Sequence, residues 1–201
     1  MKHAASPSLP SASLHTLRAC LAAVALLSAA ALSHADEYGD VNALLQAGQA
    51  TQALAKAEAY IQQNPRDPQM RFLRAVILGE QGKAADAEAA LTQLTRDYPE
   101  LPEPYNNLAA IHAAQGQYDK ARDALETALR LNPNYATAHE NLGDVYARLA
   151  AQQYARAAQF ASASKGVQPK LDHVRLLFDG GLAKAPATPV TPPTGADPAG
   201  R

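Results

Sequence analysis

The stretch GQYDKARDALETALRLNP, residues 116–133, has a counterpart at two earlier places in the chain. Thirty-four residues upstream stands GKAADAEAALTQLTRDYP (82–99), and thirty-four residues before that stands GQATQALAKAEAYIQQNP (48–65). Each stretch opens with glycine, carries alanine at its sixth position and closes with proline. A fixed period of this length indicates a repeat protein, in which every copy is one structural unit stacked on the next.

The three residue types at fixed points predict a pair of helices joined by a tight turn in each copy. The glycine supplies the positive-φ residue that ends the first helix. The alanine keeps the second helix thin where it crosses the first, and the proline stops the second helix. In the third copy, apolar residues at i, i+4, i+7 and i+8 share one face of the second helix: Ala121, Leu125, Ala128 and Leu129.

A fourth copy begins at residue 136, but its segment RLAAQQYARAA carries two extra residues. After them, Ala157 and Pro169 are expected to return to register. We predict a capping helix over 171–183 that covers the open end of the array. Its apolar face consists of Leu171, Val174, Leu177 and Phe178. Residues 184–201 are rich in proline and predict a disordered tail; a ligand for another protein is the alternative to a plain solvated end.

The first 35 residues have the composition of a secretory signal peptide. A positively charged flank precedes the apolar run ACLAAVALLSAAAL (19–32), and SHA follows it, so cleavage is expected after Ala35. The run is shorter than the roughly 20 residues of a comfortable membrane span, although an uncleaved anchor is the alternative. Cys20, the only cysteine, lies at the start of the run and not at its end, which argues against lipidation. We therefore expect export, to the periplasm if the source is a Gram-negative bacterium, without a stable membrane span after cleavage.

The repeat resembles the tetratricopeptide repeat. The third copy carries that family's residues almost throughout: Tyr105, Leu108, Ala109, Gly116, Ala121, Ala128 and Pro133. The resemblance covers roughly residues 38–170 and implies an all-α, right-handed solenoid of about four antiparallel helix pairs with a C-terminal capping helix. It divides residues 36–170 into copies at about 34–67, 68–101, 102–135 and 136–170.

Neither the composition nor the motifs of the chain indicate an enzyme. The net charge of −1 gives no basic footprint for nucleic acid. No nucleotide-binding, nucleophile-elbow or zinc-protease motif occurs in the sequence. His112 and His139 occupy bulky slots of the repeat and are expected to pack there, and His173 has no partner visible in sequence. We predict a chain without catalytic residues, metal or cofactor.

The resemblance implies that the first helix of each copy lines a concave, partner-binding groove. Carried over to this chain, the groove positions give Asn42, Phe72, Leu73, Val76, Glu103, Asn106, Asn107, Glu140, Asn141, Asp144 and Arg148. Asparagine side chains can donate to and accept from a peptide backbone, and Phe72, Leu73 and Val76 are expected to offer an apolar patch beside them. The alternative is that the asparagines are ordinary solvated residues.

Chaperone-binding members of that family hold a C-terminal carboxylate with lysines, arginine and asparagines in this groove. At those places this chain has Tyr38, Asn42, Leu73, Glu103 and Asn107. Two asparagines are therefore kept, and every basic residue is missing. A clamp of that kind is therefore not expected. The expected function is a non-catalytic scaffold that holds a protein or peptide partner during a cell-envelope process. The alternative is a chaperone-like assembly or secretion factor that binds many unfolded segments.

Overall fold

The computed structural model of the chain describes residues 37–160 and 164–179. Within these ranges all regular structure is helical, which confirms the predicted all-α class. The helices are α1 (37–46), α2 (Ala50–Gln63), α3 (Pro68–Glu80), α4 (Ala84–Asp97), α5 (Pro102–Ala114), α6 (Tyr118–Leu131), α7 (Ala136–Ala157) and α8 (Val167–Asp179). In the ranges described, none of them combines the length and the apolar character needed to cross a membrane. The predicted signal peptide and proline-rich tail lie outside the described residues.

The chain divides into two compact units, and the first ends at Tyr60. In its described part, α1 and most of α2 contain three fully buried apolar residues, Val41, Ala53 and Ala57. The rings of Tyr38 and Tyr60 lie 5.7 Å apart. Lys56 forms an ion pair with Asp40, and this contact is the first cause of a raised pKa at Lys56.

The second unit contains α3 to α8, and successive helices contact one another throughout it. Short turns join α3 to α4 and α5 to α6, so each of these two pairs is antiparallel. One core cluster lies between α3 and α4 and includes one residue of α5. It consists of Phe72, Ala75, Leu91, Leu94 and Leu108. Another, between α5, α6 and α7, consists of Ala109, Ala121, Leu125, Ala128, Ala138 and Val145. The alanine predicted to lie at the helix crossing is buried in each of the first three copies, at Ala53, Ala87 and Ala121.

Glycine ends the first helix of each of the first three copies, as the repeat pattern predicts. Gly48, Gly82 and Gly116 have φ angles of +72°, +74° and +74°. Beyond Gly116, the amide of Gln117 donates to the carbonyl of His112 at 2.8 Å, which closes the end of α5. These turns fix the direction in which each second helix starts.

Gly116→Ala should therefore lower the free energy of unfolding by about 1–2 kcal/mol, because an alanine Cβ is strained at this left-handed φ. Gly143→Ala is the matched control, since Gly143 lies inside α7 and an added Cβ there meets nothing within 4 Å. That change should raise stability by up to about 1 kcal/mol through helix propensity. Urea unfolding measures both, and shifts of the same sign would contradict the assigned turn.

Prolines begin two of the helices and follow three others. Pro68 and Pro102 begin α3 and α5, where the missing N–H costs nothing. Asp67 caps α3 by accepting a hydrogen bond from the amide of Met70 at 2.8 Å. The repeat prolines Pro65, Pro99 and Pro133 each lie two residues beyond the last residue of α2, α4 and α6, as predicted.

The fourth copy differs from the prediction because its first helix does not stop. α7 runs unbroken for 22 residues to Ala157. Ala150 stands where the earlier copies have their glycine, and alanine, a strong helix former, continues the helix. Ala157 is the last residue of α7 and Pro169 lies in the first turn of α8, so the expected return of both to register is wrong.

α8 contacts α7 and begins at Val167, ahead of the predicted start of the capping helix at Leu171. Leu171 is buried, and Val174 and Phe178 are partly buried. Leu177, predicted on the same face, is instead 49% exposed. The predicted end of this helix beyond residue 179 lies outside the described residues.

Candidate functional site

The first helices of adjacent copies in the second unit are α3, α5 and α7. α5 contacts α7 directly, in addition to the second helix α6 that lies between them in the chain. We call the surface formed by five of their residues the α5–α7 face: Asn106, Asn107, Glu140, Asn141 and Asp144. All five were predicted as groove residues from the sequence, and the structure gives each a definite environment.

Asn106 and Asn141 join the two helices through their side chains. The Nδ2 of Asn141 donates to the Oδ1 of Asn106 at 2.9 Å. Asn106 is only 6% exposed, the single buried polar residue among the described residues, whereas Asn141 is half-buried. The contact uses the Nδ2 of Asn141 and the Oδ1 of Asn106. It leaves the Oδ1 of Asn141 able to accept a hydrogen bond from a peptide N–H. The expectation that both side chains simply face an open groove is therefore wrong for Asn106.

Asn107 and Glu103 lie near the start of α5. The Nδ2 of Asn107 donates to the backbone carbonyl of Glu103, one turn earlier, at 3.2 Å. The Glu103 side chain is partly buried and occupies the first turn, where a carboxylate is stabilised by the helix dipole. The pKa of Tyr135 is raised mainly by burial of its side chain and secondly by the negative charge of Glu103. This places the carboxylate beside the start of α7.

Glu140 and Asp144 are both exposed on α7, one turn apart. Neither forms an ion pair with any residue that the structure describes. Like charges at i and i+4 destabilise a helix by about 0.2–0.5 kcal/mol. The α5–α7 face thus carries two exposed carboxylates without an ion-pair partner among the described residues, next to its asparagines.

The predicted apolar patch on α3 is wrong for Phe72 and Leu73. These side chains are 7% and 5% exposed, and Phe72 belongs to the core cluster with Leu91 and Leu94 of α4. The Phe72 ring fastens α3 to its own pair, and neither of the two buried side chains is available to a partner. Val76 is partly buried against the same cluster.

Arg148 is engaged by a contact that the sequence did not indicate. Its guanidinium lies 3.5 Å from the centre of the Phe178 ring of α8. Lys170 of α8 similarly approaches the ring of Tyr154 on α7, at 5.9 Å. These two cation–π contacts fasten α8 to α7. Arg148 is directed to Phe178 and forms no ion pair with Asp144, one turn earlier on α7. Asn42 lies partly exposed on α1, in the first unit.

The histidines occupy three different environments. His112 is partly buried in α5, and its Nδ1 is buried without a hydrogen-bond partner. His139 is exposed, so its predicted packing is wrong; its Nε2 lies 2.9 Å from the carbonyl oxygen of Pro133. The Nδ1 of His173 donates to the carbonyl of Pro169 at 2.7 Å. Over residues 37–160 and 164–179, no group of three or more potential ligands is placed to hold a metal ion.

Comparison with known structures gives likenesses to repeat proteins of one fold. A thermophilic tetratricopeptide repeat protein of Thermus thermophilus is 23% identical, with 71% of this chain and 81% of that chain covered and a TM-score of 0.54. The first such domain of Spaghetti (RPAP3), bound to the HSP90 peptide SRMEEVD, is 21% identical. The match covers 56% of this chain and 89% of that chain, with a TM-score of 0.52.

The second such domain of human RPAP3, in complex with the HSP70 peptide SGPTIEEVD, is 19% identical. It covers 55% of this chain and 92% of its own, with a TM-score of 0.50. Comparison with curated proteins gives no match.

Two family models match the sequence itself. A model described as tetratricopeptide repeat matches residues 38–102, and one described as TPR repeat matches residues 110–149. Together these ranges take up slightly more than half of the chain, and their boundary falls within the third copy of the repeat. The helix pairs, the glycine turns at a 34-residue period and these matches lead to one conclusion: the chain belongs to the tetratricopeptide repeat family.

Proposed function

We propose that the protein is a non-catalytic interaction module whose α5–α7 face holds an extended or helical segment of a protein partner. The observation that carries the proposal is the Asn106–Asn141 contact between adjacent first helices, with two exposed carboxylates beside it that form no ion pair with a described residue. The asparagine amides offer groups for a partner's backbone, and the paired geometry fixes at least two of them in advance. Peptide complexes of structurally similar domains support such a use of the fold.

The charge of the face indicates the chemistry of the segment. The peptides bound by the two similar domains end in the acidic sequence EEVD. A segment of that kind would be repelled by Glu140 and Asp144, neither of which forms an ion pair with a described residue. A lysine- or arginine-containing segment would instead remove the like-charge repulsion between them. We therefore infer a basic partner segment and no use of nucleic acid.

Capture of partners by the immobilised protein from an envelope extract, with mass spectrometry, tests this function. A scaffold should retain one or two proteins in stoichiometric amounts, and Glu140→Lys with Asp144→Lys should clearly reduce their retention. The second candidate, a chaperone-like assembly factor, predicts many clients and suppressed aggregation of an unrelated unfolded protein. Partners retained equally by the charge-reversed protein would contradict the proposed face.

We also propose that the module acts outside the cytoplasm, in a cell-envelope process, after removal of an N-terminal signal. The support is the apolar run at residues 19–32 followed by Ser33-His34-Ala35. Intact-mass analysis of the protein from its source should show a chain that starts at Asp36. A mass that still includes Cys20 would support the anchored alternative and contradict cleavage.

A further inference from the structure

The ring of Phe178 on α8 determines where the guanidinium of Arg148 lies. The Cζ of Arg148 is 3.5 Å from the centre of that ring, within the range of a cation–π contact. Both side chains are partly buried. Arg148 forms no ion pair with Asp144, although the two residues are four apart on α7. At this spacing an acidic residue and a following basic residue attract each other along a helix.

Two other arginines of the second unit keep their ion pairs. Arg122 of α6 pairs with Asp119 at 3.1 Å, and no ring of a described residue holds its guanidinium. Arg71 of α3 pairs with Asp97 at 2.6 Å, and its guanidinium lies 5.6 Å from the centre of a tyrosine ring. Arg148 differs from both because its ring contact is much closer. A guanidinium held at 3.5 Å from a ring has less freedom to turn towards a carboxylate.

The position of the Phe178 ring depends on how α8 docks on α7. Leu171, seven residues earlier and on the same helical face, is buried. Lys170 lies 5.9 Å from the ring of Tyr154 on α7. Since Lys170 meets residue 154 while Phe178 meets residue 148, α8 runs antiparallel to α7. The C-terminal end of α8 is therefore the end nearest to the α5–α7 face.

We propose that Phe178 is a positioning residue of the α5–α7 face: by holding the guanidinium of Arg148, it keeps the carboxylate of Asp144 free for a basic segment of the partner. The inference rests on the proposed function of that face. When α8 is not docked, Arg148 is released and pairs with Asp144, which removes one of the two attractive carboxylates. Docking of α8 and binding of the segment therefore favour each other, and this coupling is reciprocal.

The affinity of the full chain for a simple cationic probe tests this role. The probe is tetralysine with blocked ends, titrated at low salt. Phe178→Leu keeps an apolar side chain on α8 but removes the ring, and it should weaken binding of the probe by about twofold, the effect of one exposed ion pair at this spacing. Phe178→Tyr retains a ring and should bind like the wild type. Leu177→Ala is the control, because Leu177 is 49% exposed, and it should leave binding unchanged.

Removal of Arg148 separates positioning from a purely structural role of the ring. In an Arg148→Ala background, Phe178→Leu should no longer change the affinity for tetralysine. An effect that persists in that background would overturn the proposal, as would equal binding by the wild type and Phe178→Leu. Tighter binding by Phe178→Leu would also overturn it, since α8 would then compete with the segment for α7.

A measurement without any probe distinguishes failure of this inference from failure of the proposed function. By NMR, Asp144→Asn should shift the side-chain Nε–Hε signal of Arg148 in the Phe178→Leu protein, where the two residues pair. The same change should leave that signal in place when Phe178 is present, and equal shifts in the two proteins would overturn the role of Phe178. If the NMR result is as expected but tetralysine binds the wild type and Glu140→Lys with Asp144→Lys equally, the proposed function of the face fails and the positioning of Arg148 stands.

Discussion

Leu125→Ala should lower the free energy of unfolding by about 2–5 kcal/mol. Leu125 is fully buried in α6, and its neighbours in the core cluster include Ala121, Ala128 and Ala138. Alanine has no side-chain rotamer with which to fill a cavity, so the space vacated by the leucine persists. Urea unfolding followed by circular dichroism gives the difference in stability.

Leu131→Ala supplies the comparison for this loss. Leu131 ends the same helix but is 39% exposed, and its truncation removes little buried surface. We expect a loss of less than about 1 kcal/mol, as for most surface changes. Equal losses for the two leucines would show that α6 does not present the face inferred from its i, i+4, i+7 spacing.

Glu140→Lys with Asp144→Lys should weaken binding of the captured partner by about 1–3 kcal/mol. Each change removes one attraction to a basic segment and adds one repulsion, and the two sites lie one turn apart on α7. Because these side chains are exposed and make no ion pair among the described residues, helicity should be retained. Titration calorimetry at two salt concentrations gives the affinities, and the wild-type affinity should fall as salt rises.

Asp119→Lys with Asp123→Lys is the control for charge and spacing. These aspartates are also separated by four residues, but they lie on the second helix α6 and pair with Arg122 at 3.1 and 2.7 Å. Surface ion pairs of this kind contribute at most about 1 kcal/mol, so the fold should survive the change. Loss of binding in this variant but not in the α7 variant would move the partner to the second-helix side of the array.

The parts of the fold that the sequence predicted correctly depend on local chemistry. A positive φ admits glycine and few other residues, so Gly48, Gly82 and Gly116 each identify a turn without knowledge of the rest of the molecule. The same reasoning could have detected the long α7. Ala150 stands 34 residues after Gly116, so the loss of the glycine is visible in the sequence and predicts that the helix continues.

The candidate site was less predictable because it depends on the packing of particular side chains. A groove position in a repeat family is an average, and at Phe72 the large ring turns into the core between α3 and α4. The contact between Asn106 and Asn141 joins residues 35 apart in sequence, and it requires a rotamer that no periodicity reveals. A usable signal existed, however, since both asparagines occupy groove positions of adjacent copies.

Amide chemical-shift mapping of the partner segment on the isotope-labelled protein tests the central claim most directly. The account predicts perturbed amides along α5 and α7, centred on Asn107, Asn141 and Asp144, and side-chain shifts for the Asn106–Asn141 pair. The exposed side of α6 around Asp119 and Asp123 should remain unchanged. Perturbations confined to α4 and α6, with α5 and α7 unaffected, would show that the partner binds the second helices and would contradict the proposed face.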